Sequence, residues 1–139
     1  MIPLFLTAAL STATAGSALV DPRQIVEAYY AALEHKEYRS AYLYWSRAGE
    51  ASGKTCKQFR DGFSQTAHTR VIAGKAENAE AGMSQRWIDV PVDVFATLKS
   101  GQQQHFHGRY TLHRVAPGVG ASAEAEQWHL YSAKLKIVR

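Results

Sequence analysis

The sequence predicts an α+β domain, a helical hairpin laid across a curved antiparallel sheet. Three stretches carry that reading. Asp21 to Trp45 repeats its apolar residues with helical spacing, Trp87 to Leu98 alternates with a period of two, and Phe106 to His113 alternates again after a glycine-containing turn.

Asp21 can accept the orphan N–H groups of a first helical turn, and Pro22 occupies the position where a missing N–H costs nothing. Ile25, Tyr29 and Leu33 then form one apolar stripe, widened by Val26 and Tyr30, while Arg23, Glu27, Glu34 and Lys36 take the opposite face. Polar residues cover every side at His35 to Glu37, so a kink is expected there. A second stripe follows with Tyr38, Ala41, Tyr42 and Trp45.

The chain has 139 residues, enough for one domain with a single core. Residues 21–139 are read as that domain. Its net charge of +4 comes from scattered lysines and arginines, with no basic run and no nucleic-acid-binding motif, so no nucleic-acid partner is expected. Residues 1–20 differ in kind. They carry no charge, begin with the apolar run Ile2 to Leu10, and contain the cleavage-like triplet Ala13-Thr14-Ala15. This reads as a secretory signal peptide, or else a disordered apolar leader, too short for a stable transmembrane helix. A periplasmic or secreted location follows from the first reading. The basic residues that normally open a signal peptide are missing. Cys56 is the only cysteine, so no intramolecular disulfide can form.

Ser46 to Lys54 reads as a loop rich in small residues. Thr55 and Gln58 form a capping box for a short third helix with Phe59 and Phe63 on its apolar side. A first strand is expected from His68 to about Ala76, and Glu77 to Gly82 as a polar turn. In the next strand Ile88, Val90, Val92, Val94, Ala96 and Leu98 share one face. Pro91 within it implies an edge, a bulge or a nitrogen turned away from its neighbour. The partner strand places Phe106, Gly108, Tyr110 and Leu112 on the same face, with His105, His107, Arg109, Thr111 and His113 outside. For the apolar faces to coincide, paired residue numbers must sum to an even value. A two-residue turn is thereby excluded, and a three- or five-residue loop with Gly101 left-handed is expected. Asp93 then lies opposite His107 or Arg109. Ala116 to Ala125 reads as a loop. The last strand, Gln127 to Val138, changes its apolar phase after Leu130, which implies a bulge near Ser132.

The segments IVEAYYAALEHKEYRSAYLYW, VPVDVFATLKSGQQQHFHGRYTLHR and WHLYSAKL, in this order, resemble the nuclear-transport-factor-2-like superfamily (ketosteroid-isomerase-like, cystatin-like), in particular secreted bacterial members without assigned activity. The resemblance spans Asp21 to about Val138 and implies a cone-like curved antiparallel sheet wrapped around the N-terminal helices. It also implies a cavity for a small apolar molecule inside the cone and pairing of two chains through the outer face of the sheet.

On that basis the candidate ligand pocket comprises Tyr30, Tyr42, Trp45, Phe59 and Phe63 from the helical half, with Val90, Val92, Phe106, Tyr110 and Trp128 from the sheet. The candidate homodimer interface comprises Trp87, Asp89, Asp93 and Phe95 with His105, His107, Arg109 and His113. None of the inner positions is a carboxylate, which disfavours the general-base chemistry of the isomerase-like enzymes. The functional expectation is a non-enzymatic binding module for a small apolar ligand or a protein partner. The alternatives are a small isomerase or dehydratase using Glu50 as base with a tyrosine donor, and a structural subunit of an envelope assembly. No cofactor motif is present. His105 and His107 beside Asp93 are weighed as metal ligands, but no third firm ligand is evident, and no metal is assigned.

Overall fold

The computed structural model describes residues 18–139. The leader expected at residues 1–20 lies for the most part outside the described residues.

Helix α1 is Pro22–Glu34. The Asp21 carboxylate caps it by accepting the Arg23 N–H at 2.8 Å. Its buried face is Ile25, Val26, Tyr29, Tyr30, Ala32 and Leu33. The expected break follows at once, with Lys36 in the left-handed region at φ 61°. Helix α2, Tyr38–Leu43, stops before Trp45. Its continuation to Trp45 is corrected because the sheet edge takes over the backbone. Leu130 N–H donates to the Tyr44 carbonyl and Ser46 N–H to the Leu130 carbonyl, both at 2.8 Å. A 3-10 turn, Glu50–Ser52, interrupts the expected loop, and α3 is Cys56–Asp61. Its capping box forms as expected, with Gln58 N–H donating to Thr55 Oγ1 and Thr55 N–H to Gln58 Oε1.

The five strands are β1 Thr66–Ala73, β2 Glu77–Gly82, β3 Gln85–Leu98, β4 Gln103–Val115 and β5 His129–Ile137. They form one antiparallel sheet in the order β1-β3-β4-β5, with β2 on the same edge of β3 as β1. The polar turn expected at Glu77 to Gly82 is therefore a strand. Every residue of β2 is exposed, so neither of its faces needs apolar side chains, and backbone pairing with β3 holds it. Pro91 sits where β1 gives way to β2. Its carbonyl accepts the Gly74 N–H at 2.8 Å, and its nitrogen faces the same break, where no ladder donor is required.

All paired residues of β3 and β4 sum to an even number, with Asp93 opposite His107. The connection is the three-residue turn Lys99-Ser100-Gly101. Gly101 is at φ 91°, and Leu98 N–H donates to the Gln102 carbonyl at 2.9 Å. In β5 the register slips beside Thr111 and Leu112, which pair with Ser132 and Leu130. Tyr131 is thus the extra residue, one position before the expected bulge. This slip puts Leu130 and then Ala133 and Leu135 on the inner face. At Gly108 a Cβ would lie 1.8 Å from the Lys134 carbonyl oxygen, so β4 and β5 approach closely where only glycine fits.

Helix α1 lies across β1 and reaches β3 and β5. Its buried face meets Val90, Val92, Val94, Tyr110, Leu112 and Leu130 in one core. Among the described residues no helix is long and apolar enough to cross a membrane.

Candidate functional site

The inner face is the first place to test. The ten residues expected to line a ligand pocket converge there. Eight are buried in the core, and Phe63 and Phe106 pack against it half-buried. Their rings interlock. Tyr30 and Tyr110 meet edge to face at 6.1 Å, Trp45 and Tyr110 at 6.1 Å, and Tyr42 and Phe59 at 5.5 Å. Among the described residues, five of the surface cavities hold about 330 to 550 Å³, and of the ten residues only Tyr30 and Trp128 line any of these five.

The core contains polar atoms but no acid. The Tyr30 and Tyr110 hydroxyls share a hydrogen bond of 2.5 Å, and Tyr42 donates to the Lys54 carbonyl at 2.7 Å. Burial raises the pKa of Tyr29, Tyr30 and Tyr110 well above the usual tyrosine range, so all three are neutral hydroxyls. Among the described residues Ser46 is the only buried polar residue that is not aromatic. Glu50, considered as a base, is exposed on the 3-10 turn. A carboxylate there stands in water, outside the core.

The outer face carries the charges. Asp93 Oδ1 accepts from His105 Nε2 at 2.8 Å and from His107 Nδ1 at 3.0 Å. These two bonds hold its carboxyl below the ordinary aspartate range. The His105 ring stacks on Phe95 at 4.4 Å, and the Arg70 guanidinium lies 4.1 Å above the Phe95 ring. Further along, Asp89 accepts from Thr111 at 2.6 Å and from Asn78 at 3.1 Å, with Arg109 Nε at 3.8 Å. Trp87 packs against the His113 ring at 5.5 Å. The eight residues expected at an interface therefore share one face. Six are half-buried, and His107 and Arg109 are exposed. Among the described residues no group of three His, Cys, Asp or Glu side chains, Asp93 with His105 and His107 included, is placed to hold a metal ion.

The sequence matches no family model and no curated protein. Solved structures do match. A candidate scytalone dehydratase from Novosphingobium aromaticivorans superposes with a TM-score of 0.57 at 9% identity, over 84% of this chain and 80% of that one. A candidate aromatic ring hydroxylase from the same organism gives 0.55 at 13%, over 84% and 90%. A candidate calcium/calmodulin-dependent protein kinase type II association domain from Thiobacillus denitrificans gives 0.54 at 17%, over 87% and 98%. The fold is nuclear-transport-factor-2-like. At these identities the likeness concerns the fold, and function must come from the residues of this chain.

On this nuclear-transport-factor-2-like frame a further cluster shares only His113 with the two expected sites. The chain leaves α2, pairs briefly with β5 through Trp45, and then turns with Arg47, Ala48 and Gly49 all left-handed, at φ 56°, 53° and 96°. Such a backbone costs a non-glycine residue about 1–3 kcal/mol. At Gly49 a Cβ would overlap the Tyr42 ring at 2.1 Å, so the turn is pressed onto the core. The turn overlooks a cavity of about 350 Å³ that also takes His113, Val115, Ser122, Glu124, Ala125 and His129. His113 and His129 are directly paired across β4 and β5. His113 hydrogen-bonds Gln85, and its pKa is lowered by burial, then by the neighbouring His129 and Arg47. Sequence reasoning placed His113 at the interface and missed Ser46, Arg47, Glu124 and His129. No local signal marks them, because Arg and Ala have no preference for left-handed backbone and the pairing of the two histidines depends on the Tyr131 bulge.

Proposed function

We propose that this chain is a non-enzymatic binding module, exported from the cell, that works as a homodimer through the outer face of its sheet. The observation that carries this reading is the division of labour between the two faces. Side chains fill the inner face and leave it no acid, whereas the outer face presents the half-buried aromatics Trp87 and Phe95 among paired charges. Aromatic residues and arginine are the groups that concentrate in the centre of protein interfaces. The charge-free stretch from Met1 to Val20 supports export. One of the similar folds is named as an association domain, which fits a role in assembly.

Sedimentation velocity tests the reading. A dimer is expected at micromolar concentration, and Asp93→Ala combined with His107→Ala is expected to weaken it about tenfold or more. A monomer at every concentration, or a dimer indifferent to both substitutions, would overturn it.

A second reading rests on one specific feature. Phe106 pairs with Ile137 on the inner face, and Ile137 is 53% exposed, so the cone ends in an uncovered apolar lip. A small apolar ligand could bind there rather than deep in the core. Native mass spectrometry separates the two readings. A reproducible extra mass on the chain supports the ligand, and a clean dimer supports assembly alone.

A further inference from the structure

We propose that the cavity under the Ser46–Gly49 turn binds a small carboxylate with an apolar body, at the end of the sheet and away from the cone interior. The groups around it supply the two halves of such a ligand. Arg47 brings a guanidinium beside the His113 and His129 rings, and Val115, Ala48 and Ala125 add apolar surface to the same lining. The volume of about 350 Å³ falls within the range of small-molecule sites, about 300–1,000 Å³.

The charges favour a monoanion. Arg47 is the one permanent cation in the lining, and it makes no ion pair among the described residues. Burial, then the nearby His129 and Arg47, lower the His113 pKa, and a negative charge bound beside the ring would oppose that shift. The Nδ1–H of His129 donates to the Gln127 carbonyl at 3.0 Å, which leaves its Nε2 directed elsewhere. That Nε2 lies 3.7 Å from Glu124, the single acid of the lining. Glu124 is 78% exposed, so it can move aside, and a ligand carboxylate would take its place beside His129. A phosphate dianion would need more fixed positive charge than one arginine supplies. The Ser46 hydroxyl in the same wall is buried without a hydrogen-bond partner. A native structure rarely leaves such a group unpaired, and here it is a spare donor behind the proposed ligand. The strained turn itself fits a binding role, since left-handed non-glycine backbone gathers at ligand clamps.

The test uses the full chain with sodium benzoate as probe, followed by the imidazole signals in NMR and by titration calorimetry. Saturable binding is expected to move the His113 and His129 signals and to leave His35 and His68 in place. Benzyl alcohol, of the same shape but neutral, is expected to move none of them. Arg47→Asn keeps a residue that tolerates left-handed backbone and removes the charge; it is expected to weaken benzoate about tenfold, with Arg47→Lys recovering most of that loss. The proposal is overturned if benzoate leaves both imidazoles unmoved, if benzyl alcohol acts equally, if inorganic phosphate binds more tightly, or if Arg47→Asn binds as the parent does. Sedimentation of the same samples reports dimerisation separately, so failure of the homodimer reading does not decide this one.

Discussion

Tyr110 and Asp93 belong to neighbouring strands of one sheet. Burial drives the Tyr110 hydroxyl far above its ordinary range, whereas two imidazoles hold the Asp93 carboxyl below its own. The contrast is set by which way each side chain points from the pleat. Inward, the Tyr30 and Tyr110 hydroxyls stay neutral and bond to each other. Outward, the Asp93 carboxyl survives as an ion with water and histidine around it. The same sheet thus places its ionised acids on one side only.

Moving an acid across the sheet would break that contrast most directly. Val92 is 1% exposed, and its neighbours on the inner face are Val90, Val94 and Tyr110. Val92→Asp is expected to cost about 4 kcal/mol or more at pH 7, and less near pH 4 where the new carboxyl can be neutral. Urea unfolding at the two pH values checks this, and an equal, small loss at both would mean that water reaches the core. A subtler change follows at the tyrosine pair. Tyr30→Phe strands the Tyr110 hydroxyl and is expected to cost about 1–3 kcal/mol. Adding Tyr110→Phe removes the stranded group, so the double variant is expected to be more stable than Tyr30→Phe alone. A double variant that simply adds the two single losses would show that the hydroxyls do not depend on each other.

How far each face was legible in the sequence follows from the same geometry. The α1–α2 hairpin and the β3–β4 hairpin bury one side each, so their periods of 3.6 and 2 are plain, and the even register narrows the partner of Asp93 to His107 or Arg109, of which the fold takes His107. Strand β2 buries neither side, and ENAEAG therefore carried no period to read. The inner residues were nameable one by one, but whether they leave a cavity depends on contacts such as Tyr30 to Tyr110, which are 80 residues apart. The cavity under the Ser46–Gly49 turn was hidden more deeply. It needs a bulge at Tyr131 to align His129 with His113, and three left-handed residues of which only Gly49 is marked by type.

The smallest expected effect lies outside, at the carboxylates. Glu34, at the end of α1, accepts the Thr69 N–H and the His68 ring, both at 2.7 Å, and so ties the helix to β1. The His68 hydrogen bond first, then the Thr69 amide, lowers its pKa below the ordinary 4.5. A carboxylate with a depressed folded-state pKa stabilises the fold above its unfolded pKa, and that contribution disappears as pH falls through the folded value. Stability is therefore expected to decline below about pH 4.5, and Glu34→Gln should remove part of the decline while lowering stability at pH 7. With the Glu34 side chain 36% exposed, the loss at pH 7 should be about 1 kcal/mol or less. Asp93→Asn is the outer-face control. It shares the downward pKa shift but ties no helix to the sheet, so its effect should fall on dimer sedimentation rather than on unfolding of the single chain. An Asp93→Asn chain that unfolds much earlier yet sediments unchanged would make that carboxylate a structural group, and the outer face would lose its difference from the inner one.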